Sequence, residues 1–282
     1  MNKIIWISSF PKSGNTWLRY FLANYFFNKE KIFDQKIIRS IQKFPDDLNI
    51  FEKIASAKDI NLNPYNISKY WIKSQELMQI KKGNVAFLKN HNALVNINNY
   101  EFTNKELSLA AIYIVRDPRD VIVSYAKFKN IKYDMAIDHI CAKNLLYFKE
   151  LKKNKFPKVE IIGSWKFNYT SWRDGIPDIP KFFLKYEDLL KNSYDFFYKL
   201  ISFLSGILNF SINEEQLKLS IEFSNFDKLK EVEKKIGFYE NVSTNPFFRV
   251  GKSNNWKKQL TNSQISLIEK ECGEEMEFLG YL

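Results

Sequence analysis

Four short, almost uninterrupted apolar runs punctuate the chain: residues 3–9 (Lys3-Ile4-Ile5-Trp6-Ile7-Ser8-Ser9), 85–88 (Val85-Ala86-Phe87-Leu88), 109–115 (Leu109-Ala110-Ala111-Ile112-Tyr113-Ile114-Val115) and 181–186 (Lys181-Phe182-Phe183-Leu184-Lys185-Tyr186). Runs of this length that lack polar alternation predict central parallel strands covered on both faces. Between them apolar positions recur at helical spacing, as in Thr16-Trp17-Leu18-Arg19-Tyr20-Phe21-Leu22-Ala23-Asn24-Tyr25-Phe26-Phe27. Strands alternating with helices predict an α/β fold in one domain over 1–282, a central, mostly parallel sheet with helices on both faces. Helix starts are marked by Ser211 with Glu214 and by Thr261 with Gln264, both at capping-box spacing. Asp117-Pro118 reads as an N-cap followed by proline at the first helical position. Gly163-Ser164-Trp165 and Asp174-Gly175 bracket a helix that runs into the strand at 181. Residues 30–83 and 236–256 are less regular and richer in Asn, Lys and Pro.

Composition narrows the picture. A chain of 282 residues that is 45% hydrophobic, with 25 Phe, 15 Tyr and 6 Trp, can build a large core and is not disordered as a whole. No apolar run approaches the ~20 residues needed to span a bilayer. The apolar start is shorter than the core of a signal peptide and leads straight into the most informative motif, so it reads as the first strand. Cys141 and Cys272 are the only cysteines and show no C-x-x-C spacing; His91 and His139 are the only histidines. That usage predicts a reducing, cytoplasmic setting, no disulfide framework and no metal centre. A net charge of +11 implies attraction to anions: nucleic acid, an acidic membrane surface or a polyanionic small cofactor. Most of the lysines lie along amphipathic segments, where a solvated face accounts for them.

The candidate chemistry begins at Phe10-Pro11-Lys12-Ser13-Gly14-Asn15-Thr16-Trp17, between the first strand and the first helix. A strand, a tight turn and a helix N-terminus converge backbone N–H groups and the positive end of the helix dipole on one point, which suits phosphate. The nucleotide-binding pattern G-x-x-x-x-G-K-[ST] is not matched, because Lys12 precedes Gly14 and no glycine lies upstream of it. A second segment, Arg116-Asp117-Pro118-Arg119-Asp120-Val121-Ile122-Val123-Ser124, places Arg116 at a strand's carboxyl end and Ser124 about two turns into the next helix. Alone, it could be a surface Arg–Asp pair. The third is Lys89-Asn90-His91, just past a buried strand, where side chains reach a cleft and an imidazole can move protons near neutrality. A lone histidine is more often structural than catalytic, and His139, within a helical stretch, reads that way. Three further segments follow: Gly163-Ser164-Trp165 through Lys185-Tyr186-Glu187-Asp188; Ser224-Asn225-Phe226; and Phe247-Phe248-Arg249-Val250-Gly251-Lys252-Ser253-Asn254-Asn255-Trp256.

In this order, from residue 10 to residue 257, these segments resemble the sulfotransferases that use 3′-phosphoadenosine 5′-phosphosulfate (PAPS) and release adenosine 3′,5′-bisphosphate (PAP). The resemblance implies that Lys12, Ser13, Gly14, Asn15, Thr16 and Trp17 form a P-loop-like cradle for the 5′-phosphosulfate. It implies that Arg116, Ser124 and Arg249 hold the 3′-phosphate, with Gly251 in the same covering loop, and that Trp17, Tyr186 and Phe226 flank the adenine. Catalytic roles would fall to Lys12 (neutralising the leaving oxygen), His91 (taking the acceptor proton) and Lys89 (adding positive potential beside it). Some positions depart from the family pattern. Val250 stands where a lysine is usual, and Asn254-Asn255 replaces Gly-Asp, leaving Lys252 as the nearest substitute charge. Of the dimerisation motif, Lys257 and Thr261 match, but Asn262 and Ser266 stand where Val and Glu belong, so the oligomeric state stays open. The implied reaction is in-line transfer of a sulfuryl group to a hydroxyl or amine of a small-molecule, lipid or carbohydrate acceptor, without metal or nucleic acid.

Two other readings remain at this point. A nucleoside or small-molecule kinase on a P-loop scaffold would need Mg²⁺ held by a loop hydroxyl and a strand-end Asp. A basic nucleic-acid-binding protein would show steeply salt-dependent affinity. The acceptor is not legible. Tyr65, Tyr70, Trp71, Phe238 and Tyr239 lie in the irregular regions and suit an apolar or a carbohydrate partner equally.

Overall fold

The structure, a computed structural model, describes residues 3–44, 48–78, 85–142, 144, 146–149, 157–176, 178–241 and 245–282, so parts of the irregular regions 30–83 and 236–256 lie outside it. In chain order the elements are β1 (Lys3–Ser8), α1 (Asn15–Phe27), β2 (Gln42–Lys43), α2 (Leu48–Ile54), α3 (Ala57–Leu62), α4 (Trp71–Glu76), β3 (Val85–Asn90), β4 (Asn96–Ile97), β5 (Tyr100–Glu101) and β6 (Ser108–Val115). They continue with α5 (Pro118–Lys129), α6 (Tyr133–Cys141), β7 (Leu146–Lys149), β8 (Lys158–Ile161), α7 (Trp165–Asp174), β9 (Lys181–Lys185), α8 (Tyr186–Lys191), α9 (Ser193–Leu208), α10 (Glu214–Phe223), α11 (Phe226–Ile236) and α12 (Asn262–Phe278). All four strands expected from the apolar runs are present. Among the described residues they join β2 in one sheet of order β2-β3-β1-β6-β9. The fold is α/β, as the pattern predicts. The strands that the pattern missed are short: β2, β4 and β5 have two residues each and β7 and β8 four each, too few to show a clear period.

One expectation is corrected. The helix near 211 starts at Glu214, and its cap is Asn213, whose side-chain oxygen accepts the Gln216 N–H. Asn213 lies one residue before the helix and reaches its open N–H groups, whereas Ser211 stands two residues too early. The other boundary signals hold: Asp117 caps α5 with Pro118 following, Ser164 caps α7, and Thr261 with Gln264 closes a capping box on α12.

The chain divides into two compact units. The first comprises Met1–Phe10, Gln42–Tyr113 and His139–Lys181. Within it β1 runs parallel to β3 and β6, with Ser8 opposite both Asn90 and Tyr113, so β1 and β3 end together while β6 continues to Val115. Its core is aromatic. Trp6 packs against Phe44, Phe102 and Trp172 with ring centroids 5.5, 5.1 and 6.3 Å away, and its indole N–H donates to Ser108 Oγ at 2.9 Å. That bond removes the cost of burying the one polar atom of the ring.

The second unit comprises Pro11–Ile41, Ile114–Asp138 and Phe182–Leu282. Phe21 of α1 stacks on Phe197 of α9 at 3.7 Å, while Tyr20 joins Ile38, Leu229, Phe238 and Phe248 in a second apolar cluster. Arg19 is buried beside them, pairing with both oxygens of Glu240 (2.9 and 3.0 Å) and donating to the Ile38 and Ile41 carbonyls. A buried guanidinium is tolerated because carboxylate and carbonyls replace its water. The key positions each follow a strand's carboxyl end: the 9–14 turn after β1, His91 after β3, Arg116 after β6 and Tyr186 after β9. In open α/β sheets this is where ligands bind.

Candidate active site

In the second unit the turn between β1 and α1 has strained geometry. Lys12 adopts φ 69° and Gly14 φ 105°, and Gly14 is the N-cap of α1 without a side-chain capping bond. A non-glycine residue held left-handed costs on the order of 1–3 kcal/mol, and such strain collects at functional turns. Gly14 is required for a second reason: a Cβ there would lie 2.6 Å from Tyr186 Cδ2 and 3.0 Å from Ile114 Cδ1. No acidic residue occupies the first turn of α1, so nothing on this helix offsets the positive end of its dipole. Ser13 is fully buried, and its hydroxyl has no hydrogen-bond partner among the described residues.

The Lys12 ammonium sits between two rings, 4.3 Å from the centroid of Phe128 and 4.2 Å from that of Phe247. Burial, and then the charges of Arg249 and Arg116, push its pKa down to about 7, with Glu233 opposing. Cation–π contact compensates part of the lost hydration.

Arg116 lies over the Tyr186 ring (4.4 Å from Cζ to the centroid) and donates to the carbonyls of Lys12 (3.3 Å) and Lys252 (3.0 Å). Tyr186 in turn meets the edge of Trp17, centroids 5.8 Å apart. Arg249 reaches Ser124 with one nitrogen, Nη2, which donates to the serine carbonyl (2.9 Å) and hydroxyl (3.2 Å). Its other terminal nitrogen, Nη1, is buried with no partner among the described residues. Gly251 lies against Phe226, whose ring a Cβ would approach to 2.5 Å. The structure therefore gathers Lys12 to Trp17, Arg116, Ser124, Tyr186, Phe226, Arg249 and Gly251 within one unit. Beside Arg249 opens a cavity of about 580 Å³ whose lining includes Lys127, Lys132, Tyr133 and Asn245. Like charges held close, an orphaned guanidinium nitrogen and an orphaned hydroxyl fit a polyanion with more than one phosphate.

The first unit holds the other candidates. His91 immediately follows β3, which runs two residues further than the apolar run suggested. Its Nδ1 stands 2.7 Å from the Ser9 carbonyl and 3.3 Å from Ser9 Oγ. A carbonyl only accepts, so Nδ1 carries the proton and Nε2 keeps its lone pair. Burial and then the Lys89 charge push the His91 pKa down to about 3, with Glu160 opposing. Lys89 is itself buried and donates to Glu160 at 3.1 Å. The positive potential anticipated from Lys89 is thus largely balanced by a carboxylate, whose pKa falls to about 2, held there despite burial by Lys89 and Lys158. Sequence reading missed Glu160, which sits on β8 far away in the chain with no motif around it. It also missed Phe128, Phe247, Glu233 and Asp120; Phe247 and Asp120 lay inside segments already singled out.

A sequence model described as "Sulfotransferase domain" matches residues 2–280. The chain belongs to the sulfotransferase family. It is 23% identical to an amine sulfotransferase of Oryctolagus cuniculus over 96% of this chain and 80% of that one. To a flavonol 3-sulfotransferase of Flaveria bidentis it is 26% identical, over 98% of this chain and 82% of that one. Two solved structures share the fold. Retinol dehydratase in complex with androsterone and the inactive cofactor PAP has a TM-score of 0.61 and 19% identity over 97% of this chain and 80% of that one. Mouse sulfotransferase SULT7A1 complexed with PAP has a TM-score of 0.58 and 20% identity over 98% and 85%. This sulfotransferase moves a sulfuryl group from PAPS to an acceptor. Among its described residues no cluster of three or more His, Cys, Asp or Glu is placed to hold a metal ion, and no helix is long and apolar enough to cross a membrane.

Proposed function

We propose that residues 12–17 with Arg116, Ser124, Tyr186, Phe226, Arg249 and Gly251 hold the donor nucleotide, that His91 is the general base, and that the acceptor is a small molecule bearing a hydroxyl or amine. The observation that carries this reading is the cation cluster of Lys12, Arg116 and Arg249, with one Arg249 nitrogen left unpaired. Clustering like charges is unfavourable unless a polyanion balances them. When bound, the donor supplies the sulfuryl group and an anionic phosphate as leaving group. Arg116, Ser124 and Arg249 take the 3′-phosphate, the group that separates PAPS from ATP. Tyr186, Trp17 and Phe226 offer flat faces and edges to the base. Lys12 and the N–H groups at the start of α1 stabilise charge on the leaving oxygen as its bond to sulfur breaks and keeps the electron pair. The acceptor atom forms the new bond to sulfur, and its proton passes to Nε2 of His91. The Ser9 carbonyl orients the ring and fixes the tautomer that leaves Nε2 open, and burial with the Lys89 charge keeps the ring neutral.

Relatives named for amines and flavonols support a small acceptor. Cys141 and Cys272 form no disulfide, which suits the cytoplasm. The deciding experiment is a thermal-shift comparison. PAP should raise the melting temperature, while AMP and ADP at equal concentration should raise it much less, because a ligand stabilises in proportion to its occupancy of the native state. Equal shifts from all three would remove the 3′-phosphate site from the reading.

A further inference from the structure

The stretch 249–253 is strung between two carboxylates from different helices. Before it, Glu233 of α11 accepts the Phe247 N–H at Oε1 (2.7 Å) and the Phe248 N–H at Oε2 (2.8 Å); Oε1 also receives a longer bond from Asn241 Nδ2 (3.4 Å). After it, Asp120 of α5, 2% exposed, accepts the Asn254 N–H at Oδ2 (2.7 Å) and the Trp256 N–H at Oδ1 (3.1 Å). Lys230 Nζ adds a bond to the Arg249 carbonyl (2.7 Å). Between the anchors the backbone turns through left-handed positions at Gly251 (φ 63°) and Asn254 (φ 62°). Asp120 Oδ2 stands 3.9 Å from Arg116 Nη2, beyond a direct hydrogen bond, while Arg116 donates to the Lys252 carbonyl inside the strung segment.

This stretch has no ladder or helix to satisfy its backbone, and it carries Arg249 toward two other cations. Charge repulsion alone would push it away. A carboxylate receiving two main-chain N–H groups makes charge-assisted bonds that oppose this and fix the backbone direction on either side. We infer that Asp120 and Glu233 are positioning residues that hold Arg249, and with it Arg116, in the geometry that selects a 3′-phosphate. Neither touches the nucleotide; they act through the segment they hold. The inference rests on the assignment of Arg116, Ser124 and Arg249 to the 3′-phosphate.

The test is calorimetric binding of PAP and AMP to the wild type and to Asp120→Asn and Glu233→Gln, with melting temperature measured alongside. Each amide keeps the size of the side chain but turns one acceptor into a donor facing an N–H. In each variant PAP affinity should fall by about tenfold and AMP affinity should barely move, since an unmatched buried donor costs roughly that much. A lower melting temperature with an unchanged PAP-to-AMP ratio would make the carboxylates merely structural and overturn the inference. A wild type that does not prefer PAP to AMP would instead overturn the 3′-phosphate assignment beneath it. Should an amide variant not fold, Asp120→Glu and Glu233→Asp, which keep the charge and displace it by one methylene, are read by the same ratio.

Discussion

Lys12 is a lysine whose charge is marginal at neutral pH. With its pKa near 7, a large share of the side chain is neutral at pH 8, and a phosphate beside it favours the charged form. PAP binding at pH 8 should therefore take up protons, seen as a dependence of the calorimetric enthalpy on the buffer's ionisation enthalpy. Lys12→Ala should abolish that uptake and reduce turnover by about 10²–10³, as for other lost contacts to developing charge. Binding without proton uptake in the wild type would separate Lys12 from the phosphate. For His91, a pKa near 3 means the imidazole is neutral throughout the working range, a weak base that is always available. On an acceptor found by screening phenols, alcohols and amines, His91→Ala should lower turnover by about 10²–10⁴ and leave PAP affinity intact. His139→Ala should change neither. The wild-type pH profile should lack an acid limb near 6.5; a limb there that disappears in His91→Ala would contradict the environment described for the ring. The sequence made Lys12 and His91 legible because each closes a strand in a recognisable context, but the shifts in their pKa values come first from burial, which no local pattern announces.

At the level of elements, the start of α1 is the most constrained point of the chain. Gly14 combines a left-handed φ with contact against Tyr186, so Gly14→Ala meets both a backbone penalty and a clash. It should lower the melting temperature and weaken PAP binding together, because Tyr186 must shift and carries Arg116 with it. Near wild-type affinity in a folded Gly14→Ala protein would show that the turn adapts freely. The covering loop offers the converse case. Asn254 stands where the family has glycine, and it takes φ 62°. Asparagine tolerates this region better than other side chains, so the replacement keeps the turn. Val250 is half-exposed and contributes no charge, and Lys252 is exposed while its carbonyl receives Arg116. Capping signals were legible where the cap adjoins the helix, as at Thr261. They misled at Ser211, because spacing alone cannot choose between two nearby side chains able to cap.

For the whole molecule, half-buried His91 and the buried Glu160–Lys89 pair link stability to pH. Folded His91 titrates near 3 and the unfolded residue near 6.5, so between these values the unfolded chain binds more protons and stability falls as the pH is lowered. Glu160, depressed to about 2 from 4.5, adds a further loss as the pH drops through that interval. Because Lys12 titrates near 7 when folded and near 10.5 when unfolded, the urea midpoint should already fall as the pH is lowered toward 7. It should decline further from about pH 6.5 downward, where His91→Gln should flatten the upper part of that second decline. An unchanged midpoint at pH 5 in the wild type would place His91 in solvent.

The amino-acid sequence determined the α/β class, the four principal strands, the residues that follow their carboxyl ends and the family. These depend on local periodicity, turn chemistry and motif order, all of which are written within a few residues of one another. Tertiary structure alone decided that Lys89 is matched by Glu160, that Lys12 lies between Phe128 and Phe247, and that Asp120 and Glu233 hold the loop carrying Arg249. Those partners come from segments distant in the chain. Burial, which sets how strongly charges interact, exists only once those elements have packed.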